Sequence, residues 1–229
     1  MRTISTLSCL LMAALSAAAA DTKQVRHSCC SPPEPAGTAP ARLSDKSLYQ
    51  LDSSWTNDDG AAVKLAALRG RPQVLVMFFA HCVYACPLLV YQMQQLEAAL
   101  PEGLRDKVGF TLVSFDSERD TPAALHQYRL QHGLEKGRWT LLHGGPDDVL
   151  ELAALLNVKY KKDAQGQFLH SNVMTLLNAE GEIVCQQQGL NSDRKEILQA
   201  MRSIVNNSNA GLGASEAGRE RSNVHDCTK

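Results

Sequence analysis

The sequence lacks several features that would place it in common functional classes. Its 23 basic and 24 acidic side chains nearly cancel over 229 residues. No basic stripe interleaved with aromatic residues is present, which argues against a nucleic-acid partner. The sequence contains no internal repeat, and no apolar run after residue 20 is long enough to span a bilayer. Proline is absent from residue 147 onward. With 44% apolar residues, the chain suits one folded domain with tails.

The first 20 residues have the pattern of an export signal. Arg2 supplies a positive charge, a mostly apolar run follows, and residues 18–20 form an alanine-rich cleavage site before Asp21. The alternative is an uncleaved anchor, because the run is close to the limit of about 17 residues for a spanning helix. The alanines and the absence of a stop-transfer flank favour cleavage. We therefore expect export to the bacterial periplasm or the outer face of the cytoplasmic membrane, with membrane association only through this segment.

Composition divides the rest of the chain into three parts. Residues 21–42 are rich in proline, alanine and serine without periodicity, which predicts a flexible arm. Residues 207–229 have a similar composition and are predicted to form a flexible C-terminal tail. The folded domain is therefore expected to span residues 43–206.

Hydrophobic periodicity within that domain predicts strands alternating with helices in the order ββ, βα, βα, βα, ββα. A strand pair turns at Asp59-Gly60, and a strongly apolar strand at residues 74–79 then runs directly into "HCVYACP". Pro87 suits the first turn of a following helix. The order predicts an α/β fold with a central mixed β-sheet flanked by helices and an N-terminal strand pair. A cysteine pair between the first buried strand and a helix is the placement of a thioredoxin-like fold.

Cys82 and Cys86 are the cysteine pair on which the functional question depends. A structural disulfide between them would close a very small loop and constrain little. Cys86 is predicted near a helix N-terminus, where the helix dipole favours thiolate over thiol. A thiolate either attacks disulfides or binds a soft metal ion, and the C-x-x-x-C spacing allows the pair to close as a disulfide or to open around an ion.

A third metal ligand would come from a histidine, since two thiolates and a nitrogen suit copper or zinc. His170 is the strongest candidate. It is predicted in a loop before the strand at residues 173–177, where thioredoxin-like oxidoreductases usually carry a cis-proline that this chain lacks. His81 adjoins Cys82, but adjacent side chains often point apart. His126 and His132 are predicted on a solvated helix face, and His143 at the end of a strand.

The chain resembles the Sco/SenC family of copper-binding thioredoxin-fold proteins, which help assemble the binuclear copper centre of cytochrome c oxidase. The matching segments are "GRPQVLVMFFAHCVYACP", "LVSFDSERDTPAALHQY", "GGPDDVLELAALLNV" and "HSNVMTLLNAEGEIV", in the family's order. The resemblance implies that Cys82, Cys86 and His170 bind one copper ion, as Cu(I) or Cu(II). It also implies that Asp116 and the Arg119-Asp120 pair lie near the metal loop, although Asp120-Thr121-Pro122 is first of all a helix cap.

Two functions follow from these residues. The first is a copper metallochaperone that delivers copper to a copper-bearing oxidase subunit or another acceptor and depends on a thiol reductant, because a disulfide offers no thiolate. The alternative is a thiol–disulfide oxidoreductase in which Cys82 attacks and Cys86 resolves. The missing proline and the wider cysteine spacing count against a general thioredoxin.

The sequence departs from the family pattern beside the implied ligands. Val83-Tyr84 stands where family members often have Pro-Asp, and Leu169 stands where they often have Asp before the histidine. Neither change removes a ligand, but the loss of acidic neighbours affects the hydrogen bonds that orient the site and the choice of partner.

Further cysteines lie outside the matching motifs. The clusters "HSCC" (27–30) and "HDC" (225–227) contain ligands for a soft metal. Unstructured thiols or an incidental disulfide are the simpler interpretation, and arms that capture or pass on copper are the alternative. Cys185 is predicted to be a small buried residue rather than a ligand.

Overall fold

The computed structural model describes residues 42–190, 193–210 and 225–226. The predicted signal segment, nearly all of the N-terminal arm and most of the C-terminal tail lie outside the described residues. The described residues form ten strands: β1 (Trp55–Asn57), β2 (Ala62–Val63), β3 (Gln73–Phe78), β4 (Gly109–Ser114), β5 (Trp139–Gly144), β6 (Tyr160–Lys162), β7 (Phe168–His170), β8 (Val173–Leu177), β9 (Ile183–Gln188) and β10 (His225–Asp226).

Eight of these strands form one mixed sheet in the order β10-β9-β8-β3-β4-β5-β1-β2. The β3–β4, β4–β5 and β9–β10 pairs are parallel, whereas the other neighbours are antiparallel. β6 and β7 form a separate antiparallel hairpin. The predicted central mixed sheet and the N-terminal strand pair are confirmed.

Within the described part of the chain there are also five α-helices: α1 (Ala85–Ala99), α2 (Glu102–Arg105), α3 (Pro122–His132), α4 (Pro146–Leu155) and α5 (Arg194–Ala210). α1 packs on β3, α3 on β5 and α5 on β9. The boundaries of α3 follow the predicted signals, because the Thr121 hydroxyl accepts from the Ala124 N–H and Gly133 ends the helix at a φ of +61°. Among the described helices, none combines the length and apolar character needed to cross a membrane.

The central strands carry the core and set the position of the cysteine pair. Every residue of β3 and β4 is buried, as expected for strands covered on both faces of a sheet. β3 and β4 run parallel, so their carboxyl ends meet at one edge of the sheet. The segments that follow both strands, including the one with Cys82, therefore lie side by side.

The prediction that His170 lies in a loop is wrong. His170 ends β7, which pairs with β6 in a hairpin closed by a turn at residues 163–166. The Asp163 carboxylate accepts from the backbone N–H groups of Gln165 and Gln167, and Gly166 adopts a φ of +75°. Strands of three residues are too short for hydrophobic alternation to reveal them.

Other differences from the sequence predictions are small. α1 begins at Ala85, two residues before the Pro87 position expected in its first turn. α5 continues to Ala210, four residues beyond the expected end of the domain at residue 206. Two residues of the predicted C-terminal tail form β10 against β9.

The N-terminal hairpin is anchored by a buried tryptophan against a glycine. Trp55 lies opposite Gly144 in the β1–β5 ladder, and its indole N–H donates to the Ser53 hydroxyl at 2.8 Å. A Cβ atom at Gly144 would lie 2.5 Å from the Trp55 ring, whereas a Cβ at Gly145 would meet only Asp148, at 3.8 Å. The two adjacent glycines therefore differ sharply in the space around them.

Substituting Gly144 with alanine is expected to lower the free energy of unfolding by about 1–3 kcal/mol, because the added methyl overpacks the core at Trp55. Gly145→Ala is the matched control and should cost less than about 1 kcal/mol. Urea denaturation of both variants measures the difference. Equal losses would show that the Trp55 contact does not constrain position 144.

Candidate metal centre

Three side chains singled out in the sequence come together at the edge of the sheet. Cys82, Cys86 and His170 each offer a ligand atom, and these atoms lie within 4.8 Å of one another. Cys86 Sγ lies 3.7 Å from His170 Nε2. Ligand atoms bonded to one ion at about 2.0–2.3 Å are separated from each other by roughly 3.3–4.0 Å. The cluster therefore has nearly the dimensions of a three-ligand metal site.

The loop between β3 and α1 places the two sulfur atoms. The Cys82 N–H donates to the Phe79 carbonyl at 3.2 Å, which turns the chain directly after the strand. The Cys86 N–H, in the first turn of α1, donates to Cys82 Sγ at 3.3 Å. Both cysteines are free thiols; Cys86 is buried and Cys82 is half-buried. The pair therefore combines one partly exposed cysteine with one buried cysteine.

The pKa values of the two cysteines are shifted in opposite directions. A hydrogen bond from the Cys86 side chain is the main cause that lowers the pKa of Cys82 to about 3, and backbone N–H groups add to this effect against the opposing effect of burial. The same hydrogen bond, together with burial, raises the pKa of Cys86. In the first turn of α1, the backbone of Cys86 also acts on the neighbouring cysteine. Its N–H points at the Cys82 sulfur, so the first turn of α1 stabilises charge on Cys82.

His170 presents one defined nitrogen to the cysteines. Its Nδ1 lies 3.2 Å from the Ser171 carbonyl oxygen, which can only accept, so Nδ1 carries the hydrogen. In the neutral ring Nε2 is then the acceptor nitrogen, and it faces Cys86. Fixing the tautomer through the other ring nitrogen is typical of histidines that bind metals.

An aromatic cluster that the sequence analysis missed supports the His170 ring. The ring centroid of Phe115 lies 5.1 Å from the imidazole, and that of Phe79 lies 6.1 Å away, edge-on. Tyr160 stacks on Phe115, and Phe168 contacts both phenylalanines. Phe79 and Phe115 each follow directly after a buried parallel strand. That shared placement is the sequence signal that could have predicted their proximity.

Asp120 joins the loop between β3 and α1 to the sheet. Its fully buried carboxylate accepts from the Ala80 N–H at 2.7 Å and the Ser114 hydroxyl at 2.6 Å, and it lies 3.1 Å from His81 Nδ1. The helix cap belongs to the next residue, Thr121. Asp120 therefore fixes the chain two residues before Cys82.

Asp116 and Arg119 join the His170 hairpin to the same region. The Arg119 guanidinium donates to the buried Asp116 carboxylate and also to the Gly166 carbonyl in the β6–β7 turn. The "DSERD" segment thus contacts both parts of the centre. Asp120 contacts the cysteine loop, and Arg119 contacts the hairpin.

The remaining candidate histidines lie elsewhere among the described residues. His81 Nδ1 faces Asp120, His126 lies 3.7 Å from Asp58, and His132 stacks on Tyr128. His143 stands opposite Thr56 in the β1–β5 ladder. Among the parts of the chain that are described, His170 alone of the histidines groups with the two cysteines.

The other cysteines are separated from this centre or lie outside the described residues. Cys185 is buried in β9, as predicted, and is disulfide-bonded, so it is not available as a ligand. Cys29, Cys30 and Cys227 lie outside the described residues, whereas His225, from the "HDC" cluster, is part of β10.

The unequal cysteines generate a prediction about reactivity. In the reduced, metal-free protein, we expect iodoacetamide to modify Cys82 at least tenfold faster than the buried Cys86. The rate at Cys82 should change little between pH 5 and pH 8, because a pKa of about 3 leaves it ionised throughout. An ordinary thiol slows about tenfold per pH unit over this range. Mass spectrometry of peptides after short pulses measures both rates; faster labelling of Cys86 would contradict the assignment.

Comparison with known proteins identifies the family. The SCO1/SenC family model matches residues 42–206, and the chain belongs to this family, which confirms the resemblance seen in the sequence. The SCO1 protein homolog of Bacillus subtilis (strain 168) is 24% identical over 169 residues, covering 71% of this chain and 86% of that protein.

Two solved structures share the fold. Copper-bound ScoI from Bradyrhizobium japonicum superposes with a TM-score of 0.56 at 24% identity, covering 66% of this chain and 96% of that chain. BsSco, described as having a disulfide switch and as a member of the Sco family of cytochrome c oxidase assembly proteins, gives a TM-score of 0.57 at 23% identity and covers 67% and 91%. At these identities the structures establish a common fold.

Proposed function

We propose that this protein is an exported copper metallochaperone. It carries one copper ion on Cys82, Cys86 and His170 and passes it to the copper-bearing subunit of a cytochrome c oxidase or to another copper acceptor. The observation that carries the proposal is the grouping of two free thiols and one imidazole nitrogen within 4.8 Å. Membership of the SCO1/SenC family and the copper-bound relative support copper as the metal.

The donor set accounts for both binding and release of copper. Soft thiolates with one imidazole suit copper, and three ligands leave room for an incoming ligand from the acceptor. Metal binding requires both sulfurs as thiolates, so copper displaces the proton that Cys82 and Cys86 share. Oxidation of the pair to a disulfide removes both thiolates, so the chaperone depends on a thiol reductant.

The surface around the centre indicates the kind of acceptor. We define the collar as four exposed apolar side chains that lie within two residues of a proposed ligand in the sequence: Val83, Tyr84, Leu88 and Leu169. Val83 is 91% exposed and Leu169 is 70% exposed. The exposed Lys159 and Lys161 lie on the hairpin that carries His170. We expect an acceptor that reaches the copper to contact the collar, with a face that is apolar and has acidic residues at its border.

Export is supported by the N-terminal sequence and by cysteine chemistry. The first 20 residues have the signal pattern described above. Cys185 is disulfide-bonded, and structural disulfides persist in exported rather than cytosolic proteins. The proposed domain organisation remains a signal segment (1–20), an N-terminal arm (21–42), a copper-binding domain (43–206) and a C-terminal tail (207–229).

A thiol–disulfide oxidoreductase is the second candidate function. It is favoured by the pairing of a half-exposed Cys82 of low pKa with a buried Cys86 of raised pKa, the arrangement expected of attacking and resolving thiols. In that function His170 only tunes the pKa of Cys82. Dependence on His170 therefore distinguishes the two functions.

Copper titration of the reduced protein under anaerobic conditions tests the proposal. We expect the parent to bind about one equivalent of Cu(I). His170→Ala should weaken binding by more than about 100-fold, because losing a ligand costs more than the 10–100-fold typical of an outer-shell partner. His126→Ala is the matched control and should bind like the parent.

One result of this titration would contradict the chaperone function. A parent that binds no copper tightly, yet reduces a partner disulfide equally well with or without His170, would favour the oxidoreductase. Circular dichroism of each metal-free variant verifies that it is folded, so a loss of binding reports on the ligand.

Substitution of the collar tests the predicted acceptor contact. The double variant Val83→Gln/Leu169→Gln should transfer copper to the isolated copper-centre domain of an oxidase about 10- to 100-fold more slowly, because apolar burial in the encounter is lost. Leu150→Gln/Leu155→Gln alters two exposed leucines of α4 and is the control. Stopped-flow spectroscopy measures transfer. Equal rates for the two double variants would show that the acceptor does not contact the collar.

A further inference from the structure

The hydroxyl of Tyr128 is a buried polar group to which neither the fold nor the proposed ligands give a role. Tyr128 lies on α3 and is 4% exposed. Its hydroxyl oxygen is buried and makes no hydrogen bond to any group in the described part of the chain. Burying a hydroxyl without a partner costs free energy, so such a group calls for a physical explanation. A donor of this kind is available to a charged group that forms only in another state of the protein.

The side chain of Tyr128 is directed towards the edge of the sheet that carries the cysteines. Long side chains on a helix lean back towards its N-terminus, and Asp120 and the capping Thr121 directly precede α3. The ring centroid of Tyr128 lies 5.0 Å from that of Phe78, the last residue of β3. The hydroxyl therefore lies near the carboxyl end of β3, from which the cysteine loop starts.

Cys86 reaches the same end of β3 from α1. It is fully buried, and the backbone of Phe79 forms a hydrogen bond with its side chain. α1 and α3 contact each other, because the Gln94 amide donates to the His132 carbonyl at 2.8 Å. Burial raises the pKa of Tyr128, and negative charge on Cys86 raises it further. The hydroxyl therefore keeps its hydrogen and lies within electrostatic reach of the Cys86 sulfur.

We propose that Tyr128 is a positioning residue whose hydroxyl donates a hydrogen bond to the Cys86 sulfur whenever that sulfur is a thiolate. In the reduced, metal-free protein Cys86 is a thiol that donates to Cys82, so the hydroxyl has no charge to stabilise. Copper binding removes the Cys86 proton. A buried thiolate needs donors to replace water, and the Tyr128 hydroxyl supplies one.

This contact biases the bound copper towards Cu(I), a consequence that rests on the proposed function. A hydrogen bond withdraws electron density from a thiolate, and hydrogen bonding around a cysteine sulfur tunes the potential of a copper centre. Cu(II) depends on donation from the thiolate more strongly than Cu(I) does. Removing the hydroxyl should therefore favour Cu(II).

The same contact acts on the oxidised cysteine pair without copper. A thiolate of dithiothreitol attacks the half-exposed Cys82 sulfur, a mixed disulfide forms and the bond to Cys86 breaks. The electron pair of that bond passes to Cys86, which accepts the hydrogen bond and then takes a proton from water. The second thiol of the reagent closes on the mixed disulfide and releases Cys82 as a thiolate. Because a stabilised thiolate leaves faster, the hydroxyl should accelerate this reduction.

The substitution Tyr128→Phe removes only the hydroxyl and tests the proposal in the full-length protein. Reduction of the oxidised pair by dithiothreitol should be about 5- to 20-fold slower than in the parent. The ratio of Cu(I) to Cu(II) affinity should fall about tenfold. The metal-free variant should melt at or above the temperature of the parent, because an unpartnered hydroxyl contributes no stability. Acid quenching, alkylation and mass spectrometry of the cysteine peptides measure reduction, and competition with chelators measures both affinities.

Tyr49→Phe is the matched control. Tyr49 is also buried, but its hydroxyl donates to the Leu68 carbonyl at 3.4 Å. This variant should lose stability and keep the parent's reduction rate and affinity ratio. A Tyr128→Phe protein that is reduced like the parent would overturn the proposal, whether or not it melts earlier. A parent that binds no copper tightly, but is reduced faster than Tyr128→Phe, would support the contact with Cys86 and contradict the chaperone function.

Discussion

The candidate metal centre is positioned by one buried carboxylate. Asp120 is fully buried, yet its oxygens are reached by donors from Ala80, Ser114 and His81, which offset the cost of removing the charge from water. Those donors come from the segment after β3 and from the end of β4. Cys82 directly follows Ala80 and His81. The hydrogen bonds of these two residues to Asp120 therefore set the position of the Cys82 sulfur.

A second link joins the halves of the centre, which are far apart in sequence. Cys86 and His170 are 84 residues apart, and the Arg119 guanidinium connects their surroundings by bridging Asp116 and the Gly166 carbonyl. The aromatic side chains beneath His170 complete this support. The three proposed ligands are thus held close together by the surrounding protein.

The features that depend on local sequence patterns were predicted correctly. The buried strand before Cys82 and both ends of α3 were correct because continuous apolar runs, a capping threonine and a terminal glycine act locally. The β6–β7 hairpin and β10 were missed because strands of two or three residues show no periodicity. The difference in pKa between Cys82 and Cys86 could not be predicted from local patterns. It depends on a hydrogen bond between two sulfur atoms whose relative position only the tertiary structure defines.

Copper K-edge X-ray absorption of the protein loaded with one equivalent of Cu(I) tests the three-ligand centre most directly. The predicted first shell contains two sulfur atoms and one imidazole nitrogen, and the nitrogen contribution should disappear in His170→Ala. A shell of sulfur atoms alone in the parent, or an imidazole contribution that persists unchanged in His170→Ala, would contradict the assignment of His170 as the third ligand.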